Sequence, residues 1–134
     1  MLALFTEIAA TRPAPAHLTV LHDLLTPYSG RLLCAHLGLA CLGSADRYLA
    51  MLSTVLGRWD DAAAQFERAL TIETRIGGRA LLPRTRYWQA RMLRARGDTG
   101  DDRAAGALLD EVIAETSTLG MARLRAQAEE LRGS

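Results

Sequence analysis

The stretch SADRYLAMLSTVLGRWDDAAAQFERALTIETRIGG, residues 44–78, decides the fold. In its first half Tyr48, Leu49, Leu52, Val55 and Leu56 recur at three- and four-residue spacings, the period of one face of an α-helix. Ser44 stands where a hydroxyl caps the first turn, so a helix is expected from there to about Leu56. Gly57 then offers the left-handed stop that other residues adopt only at a cost. Asp60 and Asp61 put negative charge at the positive end of a second helix, which turns Ala62, Ala63, Phe66, Ala69, Leu70 and Ile76 inward and ends at Gly77-Gly78. A connection this short makes the two helices antiparallel.

The same grammar recurs downstream. Leu81, Leu82, Thr85, Trp88, Gln89, Met92 and Leu93 mark one face of a third helix, and 97–102 reads as a turn. Ala105, Leu108, Leu109, Val112 and Ile113 belong to a fourth helix, closed by Leu119-Gly120. Gly57 and Gly97 are 40 apart, and Gly77 and Gly120 are 43 apart, as expected for helical hairpins that each need a neighbour to cover their apolar side. A short helix over 121–132, with Leu124, Ala128 and Leu131 inward, would cap the array. The expected class is all-α, with stacked antiparallel hairpins in a right-handed solenoid: one domain over 1–134, comprising an irregular hairpin over 1–43, hairpins over 44–78 and 79–120, and the cap. Within 1–43, 2–10 and 17–25 read as helical, punctuated by Pro13, Pro15 and Pro27, while 29–43 fits either a short helix or an extended link.

Gly57-Arg58-Trp59-Asp60-Asp61-Ala62, followed by Phe66 and Ala69-Leu70, resembles the tetratricopeptide pattern of glycine, aromatics and small residues. A longer series also matches: Leu25-Thr26-Pro27-Tyr28-Ser29-Gly30-Arg31, Ala40-Cys41-Leu42-Gly43-Ser44, Arg47-Tyr48-Leu49, Leu56-Gly57-Arg58-Trp59-Asp60, Ala90-Arg91-Met92-Leu93 and Leu119-Gly120-Met121. In order and spacing it resembles the C-terminal helical-repeat region of large bacterial ATPase-type regulators of the LuxR class and their cyclase-linked relatives. The resemblance implies a part that senses or holds partners. It does not extend to the ATPase, because no GxxxxGK[ST] phosphate loop is present. Nor does a helix-turn-helix follow Met121, and Ala50 stands where the family pattern has glycine.

Composition narrows the function classes. With 16 basic residues, all of them Arg, against 15 acidic ones, the net charge is +1, so no global field advertises nucleic acid or an anionic membrane. No run approaches the ~20 apolar residues of a membrane helix, and no signal peptide is read at the N-terminus. Cys34 and Cys41, seven apart among apolar residues, do not make a secreted disulfide framework, and a cytoplasmic protein is expected.

The chain offers few reactive arrangements. His17, His22, Cys34, His36 and Cys41 are the soft ligands, but Cys34-x-His36-x4-Cys41 fits no standard zinc spacing, and Cys41 reads as a packing residue. The adjacent acidic pairs Asp60-Asp61, Asp101-Asp102, Asp110-Glu111 and Glu129-Glu130 point about 100° apart on a helix and cannot share a site. Neither catalytic residue, metal nor cofactor is expected. The remaining candidate is a basic stripe on the third helix, where Arg79, Arg84, Arg86, Arg91 and Arg94 share one broad face with Tyr87. Such a stripe presents forked donors to the carboxylates of a protein or peptide; neutralisation across helices by Asp60, Glu67, Asp110 and Glu111 is the competing reading. The expected function is a non-catalytic interaction or regulatory scaffold, with a small-molecule effector sensor as the alternative. Nucleic acid ranks second to an acidic segment as the partner of the stripe, because the overall charge is near zero. Only Glu7, Arg12, Asp23 and Arg31 carry charge over the first 45 residues, so that end is expected to form a homodimer or dock on a partner.

Overall fold

Ser44 does what its position requires: its side chain accepts from the Asp46 amide at 3.2 Å and opens a helix over Ala45–Val55. The structure, a computed structural model, describes residues 6–7, 15–35 and 40–134. Among these residues the order is α1 (Pro15–Leu25), a 3-10 turn (Thr26–Tyr28), β1 (Leu32–Ala35), β2 (Ala40–Ser44), α2 (Ala45–Val55), α3 (Trp59–Arg75), α4 (Leu82–Arg96), α5 (Asp101–Leu119) and α6 (Ala122–Gly133). The class is all-α with one small β-hairpin. Of the segment expected to be helical over 2–10, only Thr6 and Glu7 are described, and both are helical.

The chain divides into two compact units, Met1–Gly78 and Arg79–Ser134. In the first, α1 packs on α2 and α2 on α3. Leu18, Leu25, Leu49, Leu52 and Phe66 are buried there, and Ala62 and Ala69 present small faces where helices approach. Gly57 at φ +71° and Gly77 at φ +68° stop α2 and α3 in the left-handed conformation. Trp59, one of the two aromatics of the pattern over 57–70, is only half-buried at the first position of α3.

Between α1 and α2 the chain forms an antiparallel hairpin, where a helix or an extended link was expected. Leu32 pairs with Ser44, Leu33 with Gly43, Cys34 with Cys41 and Ala35 with Ala40, with a bulge between Leu33 and Cys34. An isolated two-stranded hairpin is marginal in water, so tertiary contacts must hold this one. They do so at its base, where the Ser44 amide donates to Glu73 of α3 at 3.1 Å.

In the second unit α5 packs against both α4 and α6. The core is Tyr87, Ala90, Ala105, Leu109, Val112 and Ala128, edged by Trp88, Leu93, Leu108, Ile113, Leu124 and Leu131. Arg96 closes the α4–α5 turn with two bonds to Asp101, Nε to Oδ2 at 2.9 Å and Nη2 to Oδ1 at 2.7 Å, while the Asp98 amide also donates to Asp101 at 2.9 Å.

Candidate functional site

The six residues of the expected stripe are dispersed by their environments. Arg86, half-buried, donates to Glu115 at 2.6 Å and lies 3.3 Å from Glu111, both on α5. Arg91 lays its guanidinium over the Trp88 ring at 4.5 Å and near the Tyr87 ring at 6.0 Å. Arg94 reaches the Ser134 hydroxyl at 3.4 Å, with its Nε buried and unpartnered. Tyr87 does not share a solvent face with these arginines. It is 9% exposed, belongs to the core of its unit, and meets Trp88 edge to face at 5.9 Å. The reason lies in how α4 is used: Pro83, Tyr87 and Ala90 are buried on one side and Thr85 and Met92 on roughly the opposite side, so no single broad polar face remains.

Cross-helix neutralisation therefore holds for Arg86 through Glu111. Asp110 instead pairs with Arg132 on α6 at 3.0 Å. Arg79 and Arg84 differ from the rest of the stripe: both are exposed, and neither side chain forms an ion pair or hydrogen bond among the described residues. The first turn of α4 contains no acidic residue, so Arg84 carries its charge at the positive end of the helix without compensation.

Sequence reasoning missed a second polar assembly, at the base of the β-hairpin. Asp46, fully buried, accepts from the Ser29 hydroxyl at 2.7 Å, the Gly30 amide at 2.7 Å and Arg68 Nε at 3.1 Å. Beside it Arg47, 2% exposed, donates through Nη2 to the Leu42 carbonyl and to the Tyr48 hydroxyl, and its Nη1 lies 3.7 Å from Glu73. Tyr48 in turn donates to the Leu42 carbonyl at 2.9 Å, and Glu73 accepts from the Ser44 amide at 3.1 Å. Burying charges is costly unless they pair; among the described residues Arg47 Nη1 has only the 3.7 Å ion pair with Glu73 and no hydrogen bond, while Nη2 and the Asp46 carboxylate are bonded. Here the partners satisfy strand ends, turn and helix start together, so the assembly is the device that fixes the hairpin to α2 and α3. The available sequence signal was the density of polar residues in Ser44-Ala45-Asp46-Arg47-Tyr48 at a helix start that is wholly buried.

Two further groups bear on chemistry. His22 Nε2 lies 3.2 Å from Ser53 Oγ, and His22 Nδ1 lies 3.9 Å from Asp23. The trio imitates a hydrolase arrangement, but Ser53 is completely buried within α2, where no substrate reaches its oxygen, and Asp23 is a long, exposed contact. The contact instead joins α1 to α2. Cys34 and Cys41 are free and exposed, so Cys41 is not the packing residue its position suggested. Among the described residues no three of His, Cys, Asp and Glu converge on a point, and His36 lies outside them.

No helix is long and apolar enough to cross a membrane among the described residues. The chain matches no family model, no curated protein and no solved structure.

Proposed function

We propose that this chain is a non-catalytic interaction module, a tetratricopeptide-like helical-repeat scaffold of the kind found in LuxR-class bacterial regulators, whose partner presents an acidic segment. The observation that carries the reading is the contrast within the arginine stripe. Arg86, Arg91 and Arg94 are engaged inside their own unit, whereas Arg79, in the turn before α4, and Arg84, in its first turn, are exposed and uncommitted. Guanidinium groups left free beside an uncompensated helix N-terminus suit carboxylates on a partner. A near-zero net charge favours such a local acidic contact over the phosphate backbone of a nucleic acid. The first unit also exposes Val20 at 56% and Leu24 at 51%, one turn apart on α1, which supports self-association through that end as a homodimer.

The test uses the whole chain and a fluorescent glutamate-rich peptide, followed by anisotropy over a range of salt concentrations. Changing Arg79 and Arg84 together to Glu should weaken binding about tenfold or more and flatten its salt dependence, with the unfolding midpoint unchanged. An affinity equal to that of the wild type would place the contact elsewhere.

A further inference from the structure

The sequence puts Cys34 and Cys41 seven residues apart, and the fold places them directly opposite each other in the β-hairpin. Directly opposed residues of an antiparallel pair have Cα atoms about 4.5 or 5.5 Å apart, depending on whether the pair exchanges hydrogen bonds. Both separations lie inside the span of about 4.4–6.8 Å that a disulfide bridges. Both thiols are free and exposed, so an oxidant can reach either sulfur. We propose that Cys34 and Cys41 form a dithiol–disulfide site that closes across the hairpin under oxidising conditions and reopens under reducing ones.

The distribution of contacts along the hairpin gives the site a structural purpose. The base is held by buried groups: Asp46 binds Ser29 and Gly30, and Arg47 and Tyr48 bind the Leu42 carbonyl. Among the described residues of the outer half, Cys34, Ala40 and Cys41 are all exposed. A covalent bond at the Cys34–Cys41 rung ties the two strands together at these exposed positions. Because β2 runs from Cys41 through Leu42 to the helix cap Ser44, the bridge acts on the same strand that the buried assembly grips.

The co-reactant is a low-molecular-weight disulfide. One cysteine thiolate attacks a sulfur of that disulfide, forming a mixed disulfide and expelling one thiolate, which takes up a proton. The second cysteine then attacks the protein sulfur of the mixed disulfide and expels the other thiolate. Two protein S–H bonds are replaced by one S–S bond, and two electrons and two protons pass to the small disulfide, which leaves as two thiols.

The experiment equilibrates the whole chain in buffers of oxidised and reduced glutathione, quenches with acid, and measures intact mass and peptide maps without reduction. The expected product is a monomer lighter by two hydrogens with Cys34 joined to Cys41, reverting when reduced glutathione is in excess. Cys34→Ser and Cys41→Ser should each stop at a retained glutathionyl group on the remaining cysteine. Sequence proximity alone brings the two thiols to an effective concentration in the millimolar range, so the same titration is run in urea. The folded chain should favour the bridge over the mixed disulfide by about tenfold or more relative to the unfolded chain, because the strand register holds the sulfurs together. Equal ratios in the two states, persistent glutathionylation of both cysteines, or cross-linked dimers in place of the bridged monomer would overturn the proposal.

Discussion

Removing the Asp46 carboxylate should release the β-hairpin from α2, and the structure sets the size of the effect. In Asp46→Ala the Ser29 hydroxyl, the Gly30 amide and Arg68 lose their acceptor. Arg68 is 50% exposed and turns to water, so its pair is worth less than about 1 kcal/mol. The Ser29 and Gly30 bonds are short and charge-assisted, worth about 1.5–3 kcal/mol each, and stand at the lower end because both residues have access to water. Relief of the buried charge offsets part of the loss, leaving a net cost of about 2–4 kcal/mol. Asp46→Asn keeps an acceptor for the Gly30 amide, and the Ser29 hydroxyl can turn to accept from the new amide, so chiefly Arg68 is lost and the cost should be about 1 kcal/mol. Urea unfolding followed through Trp59 fluorescence in a Trp88→Phe background reads the unit that contains Asp46. A cost below about 1 kcal/mol for Asp46→Ala would refute the view that this carboxylate holds the hairpin.

Gly43→Ala should cost about 2–4 kcal/mol by the same assay, since φ is +103° and an added Cβ lies 2.7 Å from Nη2 of the buried Arg47, a nitrogen already bonded to Leu42 and Tyr48. Phe66→Ala, at a completely buried ring, should cost about 3–5 kcal/mol, whereas half-buried Trp59→Ala should cost about 1–2 kcal/mol; equal losses in urea titrations would contradict the burial of the two rings. Hydrogen bonds from Arg96 and the Asp98 amide hold the Asp101 carboxyl below its ordinary pKa of 3.8, against the opposing effect of burial. A lowered folded-state pKa stabilises the fold above the unfolded value, and the contribution fades as pH falls through the lowered one. The stability gap between wild type and Asp101→Asn should therefore stay constant from neutral pH to 3.8 and shrink below it, as thermal unfolding across pH would measure.

What the sequence determined by itself was local. The helix bounds in 44–134 follow from signals acting within a turn or two: the Ser44 cap reads the Asp46 amide, and Gly57, Gly77, Gly97 and Gly120 adopt positive φ where helices end. Tertiary structure alone decided which side chains those helices consume. Asp46 meets Ser29, Gly30 and Arg68, and Glu73 meets Ser44, across 16–29 residues of sequence, and no periodicity encodes pairings at that range. The helical wheel misplaced Tyr87 because it assigns one buried direction to a helix, while α4 is buried on two. That second direction drew Arg86 and Arg91 into ion-pair and ring contacts and left Arg79 and Arg84 as the exposed part of the stripe. The hairpin over 32–44 was equally hidden, because short apolar runs such as Leu32-Leu33-Cys34-Ala35 have neither strand alternation nor helical period. Its register, and with it the meeting of Cys34 and Cys41, is set where Asp46 and Arg47 grip its base, since a weak two-stranded ladder takes its pairing from whatever fixes its ends.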